Sequence, residues 1–277
     1  MDVFQYEFMQ RAILAALAIS LIAPMLGVFL VLRRQSLMAD TLSHVSLFGV
    51  ALGFFFNQNP TITTLLVVVI AAVVLEYLRT LYKTYSEIST AILMSGGLAC
   101  ALVLMSMSGG NSATSIQQYL FGSIITISIE QVILLFALLG IITVLYILFR
   151  RPMYVMTFDE STAHVDGLPI KWMSIAFNVI TGVAIAVMIP IAGALLVSAI
   201  MILPASIGMR IGKSFTLVIF CSMFIGLLGV MTGLLSSFYL ESPPGASITL
   251  VFILLFFITG LIRKILLGAR KNARKSR

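Results

Sequence analysis

Long apolar runs alternate with short polar stretches along the whole chain. Nine runs stand out, at 12–32, 36–56, 61–78, 88–107, 129–149, 172–189, 192–209, 214–238 and 246–262. Each has about the 17–25 residues that a helix needs to cross a hydrocarbon core about 30 Å thick. None alternates apolar and polar positions as a membrane β-strand does. The pattern predicts an all-α, polytopic transmembrane bundle of nine helices, one membrane domain over 1–277 ending in a basic tail at 263–277.

Two places bend the pattern. Read as one helix, 172–209 would run about 57 Å at 1.5 Å per residue, too long for a single crossing. Pro190 and Gly193 offer a break there, so two passes or a re-entrant hairpin fit and one pass does not. The count falls to eight if the first run stops short of spanning. That run is not a cleavable signal. Asp2 and Glu7 stand with Arg11 before it, Arg33 and Arg34 follow it, and no small-residue cleavage pattern is present. The Gly- and Ser-rich stretch at 108–118 predicts a flexible loop. Gln117–Ser123, too short to span and too apolar for open water, predicts a short interfacial or re-entrant helix.

Composition agrees with a membrane protein. Of the 277 residues, 60% are hydrophobic and 10% charged, with a mean hydropathy of +1.13. A soluble domain carries about 25% charge. This excludes a soluble enzyme, a disordered chain and a nucleic-acid-binding domain. Cys100 and Cys221 each lie inside an apolar run, far apart and without CxxC spacing, so the cysteines indicate neither a disulfide framework nor a zinc site.

The net charge of +7 becomes informative once it is placed. With the N-terminus outside, every Lys and Arg except Arg11 falls in an inside loop or in the tail, while the outside loops at 57–60, 108–128 and 239–245 hold none. The positive-inside rule then sets nine crossings in a cell membrane, N-terminus out and C-terminus in the cytoplasm. The tail reads as a solvated anchor near anionic lipid.

Ionisable groups within a span cost about 2.5–3.5 kcal/mol at the bilayer centre on insertion scales and are functional by default. Glu76, Arg79, Glu87 and Glu130 sit near run ends. Asp40 and His44 do not. Four residues apart on a helix, they share one face, with Ser36 and Ser43 on or near it, and Gly49 and Gly53 beyond allow another helix to approach closely. A carboxylate and an imidazole are two ligands for zinc or, with its bias to oxygen, manganese. A two-fold homodimer would supply four ligands. Metal contact is the leading reading; the pair also allows an Asp–His hydrogen bond that locks two helices and, after that, a proton relay.

His164 lies in the inside loop 150–171 with Asp159, Glu160 and Asp166, and reads as a surface histidine. Pro204 kinks the run that ends at Arg210, and Gly212 and Lys213 complete a short basic turn that suits either docking of a cytoplasmic partner or a plain helix–helix connection. There is no phosphate-binding loop, no Gly-x-Ser-x-Gly and no His-Glu-x-x-His, so no catalytic set is legible and the chain itself reads as non-enzymatic.

The run Leu32-Arg33-Arg34-Gln35-Ser36-Leu37-Met38-Ala39-Asp40-Thr41-Leu42-Ser43-His44 resembles the permeases of bacterial zinc, manganese and iron ABC importers. Gln118–Gly122, Phe158-Asp159 with Val165-Asp166-Gly167, and Gly193–Val197 with Leu203-Pro204-Ala205 are similar to further blocks of that family, in order along nearly the whole chain. Asp-Thr-Leu-Ser-His is closer to the zinc branch, since manganese permeases usually read Gly-Asp-Ala before Ser-His. The resemblance implies a fold similar to vitamin B12-type importers with one helix fewer at the N-terminus. It implies a homodimer, two cytoplasmic ATPase subunits that bind the ATP, an external metal-binding protein, and no tightly bound cofactor beyond the transported Zn²⁺ or Mn²⁺. Asp40 and His44 match the family's metal-coordinating pair, Ser36 and Ser43 would line the pathway beside them, and Pro204, Ala205, Ser206, Gly208, Arg210, Gly212 and Lys213 match an ATPase-coupling segment. The first alternative is a Mn²⁺ (or Fe²⁺) ABC permease, and a proton-coupled secondary metal transporter ranks behind it.

Overall fold

The computed structural model describes residues 6–82, 86–107, 119–122 and 127–275. Among these the chain is helical and has no strand. Ten helices follow one another: α1 (Glu7–Leu32), α2 (Leu37–Phe55), α3 (Pro60–Leu81), α4 (Ser86–Met107), α5 (Ile129–Phe158), α6 (Glu160–Val165), α7 (Ile170–Ala192), α8 (Ala194–Ile211), α9 (Phe215–Leu240) and α10 (Pro244–Lys275). Nine of them are long and apolar enough to cross a membrane; α6 is the short exception.

Local chemistry sets the helix starts. Asn59 accepts a hydrogen bond from the Thr61 amide, with Pro60 pre-set at the first position of α3. Ser128 and Gln131 form a reciprocal capping box at α5. Ser214 caps α9. The first run is a complete helix, Glu7–Leu32, which gives nine crossing-length helices rather than eight.

The long run at 172–209 divides in two, and the divider is one residue. Pro190 stays inside α7. Gly193 has φ +85 and ends the helix, and α8 begins at Ala194. A Cβ at Gly193 would stand 2.4 Å from the Gly122 nitrogen, so neither the dihedral nor the space admits a side chain. Gly122 itself has φ +78 and follows a helical turn at Tyr119–Phe121; the rest of the expected short helix at 117–123, and the loop at 108–118, lie outside the described residues. The basic tail continues α10 as helix to Lys275.

The core is built from α1, α7 and α8. α1 packs on α5, α8 and α9, and α7 packs on α3, with Ile22, Leu30, Ile185, Met188 and Leu196 fully enclosed. The large apolar residues of α4, α5 and α10 point largely outward, Leu102, Ile147 and Phe257 among them. That inversion is what lipid as solvent requires.

Candidate metal pathway

α2 lies between α3 and α4 and touches α7 and α8 as well. Its glycine spacing allows the close fit: a Cβ on Gly49 would come within 2.6 Å of the Thr64 Cα on α3. From the other side Gly97 of α4 is equally tight against Val45, whose Cα would be 3.0 Å from an added Cβ. Thr41 donates to the carbonyls of Leu37 and Thr90, the second at 3.3 Å across to α4. Most of α2 is therefore enclosed. The face that stays partly open carries Asp40, His44, Phe48 and Leu52, between exposed Leu37 and Phe55 at its ends.

Asp40 and His44 thus share one half-open face, as their spacing requires. Neither forms a side-chain hydrogen bond or an ion pair with any described residue, and His44 Nδ1 is buried without a partner. The two serines part company. Ser36 stands half-buried at the start of α2 beside a small cavity, and Ser43 turns inward, buried, its hydroxyl without a partner. Among the described residues no three His, Cys, Asp or Glu side chains gather as a metal site. The described residues of one chain thus bring no third such side chain to Asp40 and His44.

A second polar group was not legible as a site. Glu76, near the end of α3, is only 4% exposed. Its carboxylate accepts from the Asn178 amide of α7 at 2.7 Å and pairs with Arg79 at 3.2 Å. Close by, the Arg33 guanidinium donates to Ser174 and lies 5.3 Å from the Phe177 ring centre. Gln35 is buried at the α1–α2 turn and lines the small cavity with Ser36, Arg79 and Asn178. This network joins the α1–α2 turn, α3 and α7 at the end of the bundle from which α2 sets out. An Asn in the middle of the apolar run at 172–189 was the one sequence signal for it.

The kinked segment at 204–213 is mostly helix. Pro204, Ala205 and Gly208 are buried inside α8, with Gly208 against Ser222 and Val218 of α9, and Ser206 is half-buried. Arg210 is turned onto α10, donating to the Phe256 carbonyl at 3.1 Å and stacking 3.8 Å from its ring centre. Gly212 closes the helix, and Ile211, Lys213 and Ser214 form the exposed tip. At the same end of the bundle stands α6, an exposed helix that includes His164. Asp159 caps it by accepting from the Ser161 and Thr162 amides and hydroxyls, which together hold its carboxyl down to about 2. Gly167, with φ +73, turns the chain into α7. Both cysteines are free.

The model of the ABC 3 transport family matches residues 5–263. The chain is 28% identical to the high-affinity zinc uptake system membrane protein ZnuB of Haemophilus influenzae, over 92% of this chain and 97% of that one. It is 25% identical to the manganese transport system membrane protein MntC of Listeria monocytogenes, over 93% and 91%. Among solved structures it is similar to PsaBC from Streptococcus pneumoniae in complex with Fab, with a TM-score of 0.83 and 26% identity over 93% of this chain and 92% of that one.

Proposed function

The chain belongs to the ABC 3 transport family, and on that premise we propose that it carries a divalent metal ion inward, zinc in preference to manganese. It is a membrane subunit of that family, with separate cytoplasmic subunits binding and hydrolysing the ATP, and family membership favours this over the proton-driven alternative. The observation that carries the reading is the half-open Asp40–His44 face on an otherwise enclosed helix, with His44 Nδ1 buried and unpartnered. Two ligands per chain hold an ion weakly. A second copy across a two-fold axis brings four, two oxygens and two nitrogens, enough to replace hydration water while still letting the ion leave. The basic loops face the cytoplasm, an external metal-binding protein delivers the ion, and ATPase subunits dock on the end carrying the Ile211–Ser214 tip and α6.

Carboxylate with imidazole suits zinc and accepts manganese. The Asp-Thr-Leu-Ser-His run favours zinc; relatives named for zinc, chelated iron and manganese transport stand at similar identity and do not separate the metals, so manganese, or iron, is the second reading. The test is radiolabelled zinc and manganese uptake by metal-starved cells carrying Asp40→Ala or His44→Ala. Uptake falls at least about tenfold, with ATPase association and membrane level unchanged, if removing a ligand costs transport at least about 1.4 kcal/mol. Wild-type uptake by both variants would sink the assignment.

A further inference from the structure

α5 is longer than a bilayer requires. Its 30 residues extend about 45 Å, against a hydrocarbon core of about 30 Å. Counted from Ile129, Arg150 and Arg151 arrive about 32 Å along the helix, at headgroup depth. Exposed Tyr154 borders the same hollow as both arginines, an aromatic expected of that depth.

Below the arginines, α5 leaves a gap against α1 and α7. The gap is a cavity of about 310 Å³ whose walls include Met25, Phe29, Ile142, Met153 and Ile180, with Arg150 at its rim. The remaining lining is apolar apart from the Tyr146 hydroxyl. At membrane depth such a space is filled by hydrocarbon. On the other flank of Arg150 a second hollow is bordered by Arg150, Arg151, Tyr154 and Thr216. Thr216 accepts one hydrogen bond from Arg150 at 2.5 Å, which fixes the guanidinium and leaves most of its five donors unused. No Asp or Glu lines either hollow, and neither arginine has an ion-pair partner among the described residues.

The geometry points to a binding site for one anionic phospholipid, its phosphate on Arg150 and Arg151 and an acyl chain in the cavity between α1, α5 and α7. A fixed cationic fork suits a phosphodiester. Zwitterionic lipids offer the same phosphate with a compensating ammonium, so net charge provides the selectivity. A bound lipid would fasten α5, which otherwise meets the bundle mainly through α1 and α7, to the core.

The test is native mass spectrometry of the transporter assembled with its ATPase subunits, equilibrated with equal amounts of phosphatidylglycerol and phosphatidylcholine of matched chains. Each basic side chain near an anionic group is worth about fivefold in affinity, so the wild type retains phosphatidylglycerol about twenty-five-fold over phosphatidylcholine. Arg150→Gln with Arg151→Gln brings the ratio close to parity. Ala176→Phe, which fills the cavity and keeps both arginines, lowers retention of both lipids. Equal retention of the two lipids by the wild type overturns the site, and that comparison stands even where a variant fails to fold. A preference surviving in the double variant overturns it too. Displacement of phosphatidylglycerol by excess inorganic phosphate would identify a simple anion site instead.

Discussion

Asn178 of α7 donates its side-chain amide to the Glu76 carboxylate of α3 at 2.7 Å, with both residues enclosed in the bundle. A hydrogen bond to a buried charge is worth about 1.5–3 kcal/mol, and losing one partner leaves the carboxylate to Arg79 alone. Asn178→Leu lowers the thermal stability of the purified protein by an amount in that range. Asn178→Asp lowers it further, because a second carboxylate then faces the first. Thermal denaturation in one detergent ranks wild type, Leu and Asp in that order; equal midpoints would show that the contact carries no stability.

Adjacent glycines on α4 provide a second comparison. A Cβ on Gly97 meets Val45 of α2 at 2.9–3.0 Å, backbone included, while one on Gly96 meets nothing within 4 Å. Gly96→Ala stabilises by about 0.5–1 kcal/mol through helix propensity. Gly97→Ala destabilises by about 1–3 kcal/mol because α2 must shift. As α2 carries Asp40 and His44, metal uptake falls with Gly97→Ala and is unchanged with Gly96→Ala. Same-sign shifts in the two midpoints would contradict the close α2–α4 fit.

Donor chemistry predicts the direction of a change in metal preference. Asp40→His replaces an oxygen ligand with nitrogen. Manganese favours oxygen more than zinc does, so manganese uptake falls further than zinc uptake in this variant. Competition between the two metals in one uptake assay reads the ratio. An unchanged ratio would remove Asp40 from the ion's path.

The cap of α6 predicts a pH response. Hydrogen bonds from the Ser161 and Thr162 side chains, then from their amides, lower the Asp159 carboxyl from 3.8 to about 2. A carboxyl lowered on folding contributes fully above its unfolded value and loses that contribution as pH falls through the folded one. Amide exchange at Ser161 and Thr162 therefore stays slow from neutral pH to about 4 and quickens toward pH 2, after correction for the intrinsic rate. In Asp159→Ala it is fast throughout. Fast exchange in the wild type already at pH 5 would contradict the cap.

The transmembrane helices and the pairing of Asp40 with His44 could be read from the chain because each depends on one dominant quantity. Span length follows from the hydrocarbon thickness, and a shared face follows from a spacing of four. Other features depend on neighbours distant in sequence. Glu76 reads as a wet helix end until Asn178, 102 positions on, is found bonded to it. Arg150 and Arg151 read as the end of a span, yet α5 continues through Pro152 because Tyr154 and Phe158 pack on Phe215 with ring centres 5.2 and 6.0 Å apart. Ser43 reads as a neighbour of His44 on the open face, but the packing of α3 and α4 around α2 turns it inward. Arg210 reads as an exposed docking charge, and the Phe256 ring and carbonyl hold it.

Gly193 is the whole connection between α7 and α8. A one-residue link holds no polar segment that could be carried across the bilayer by itself. α7 and α8 touch little beyond this junction, so the angle at which one helix leaves the other rests on the backbone dihedrals of a single residue.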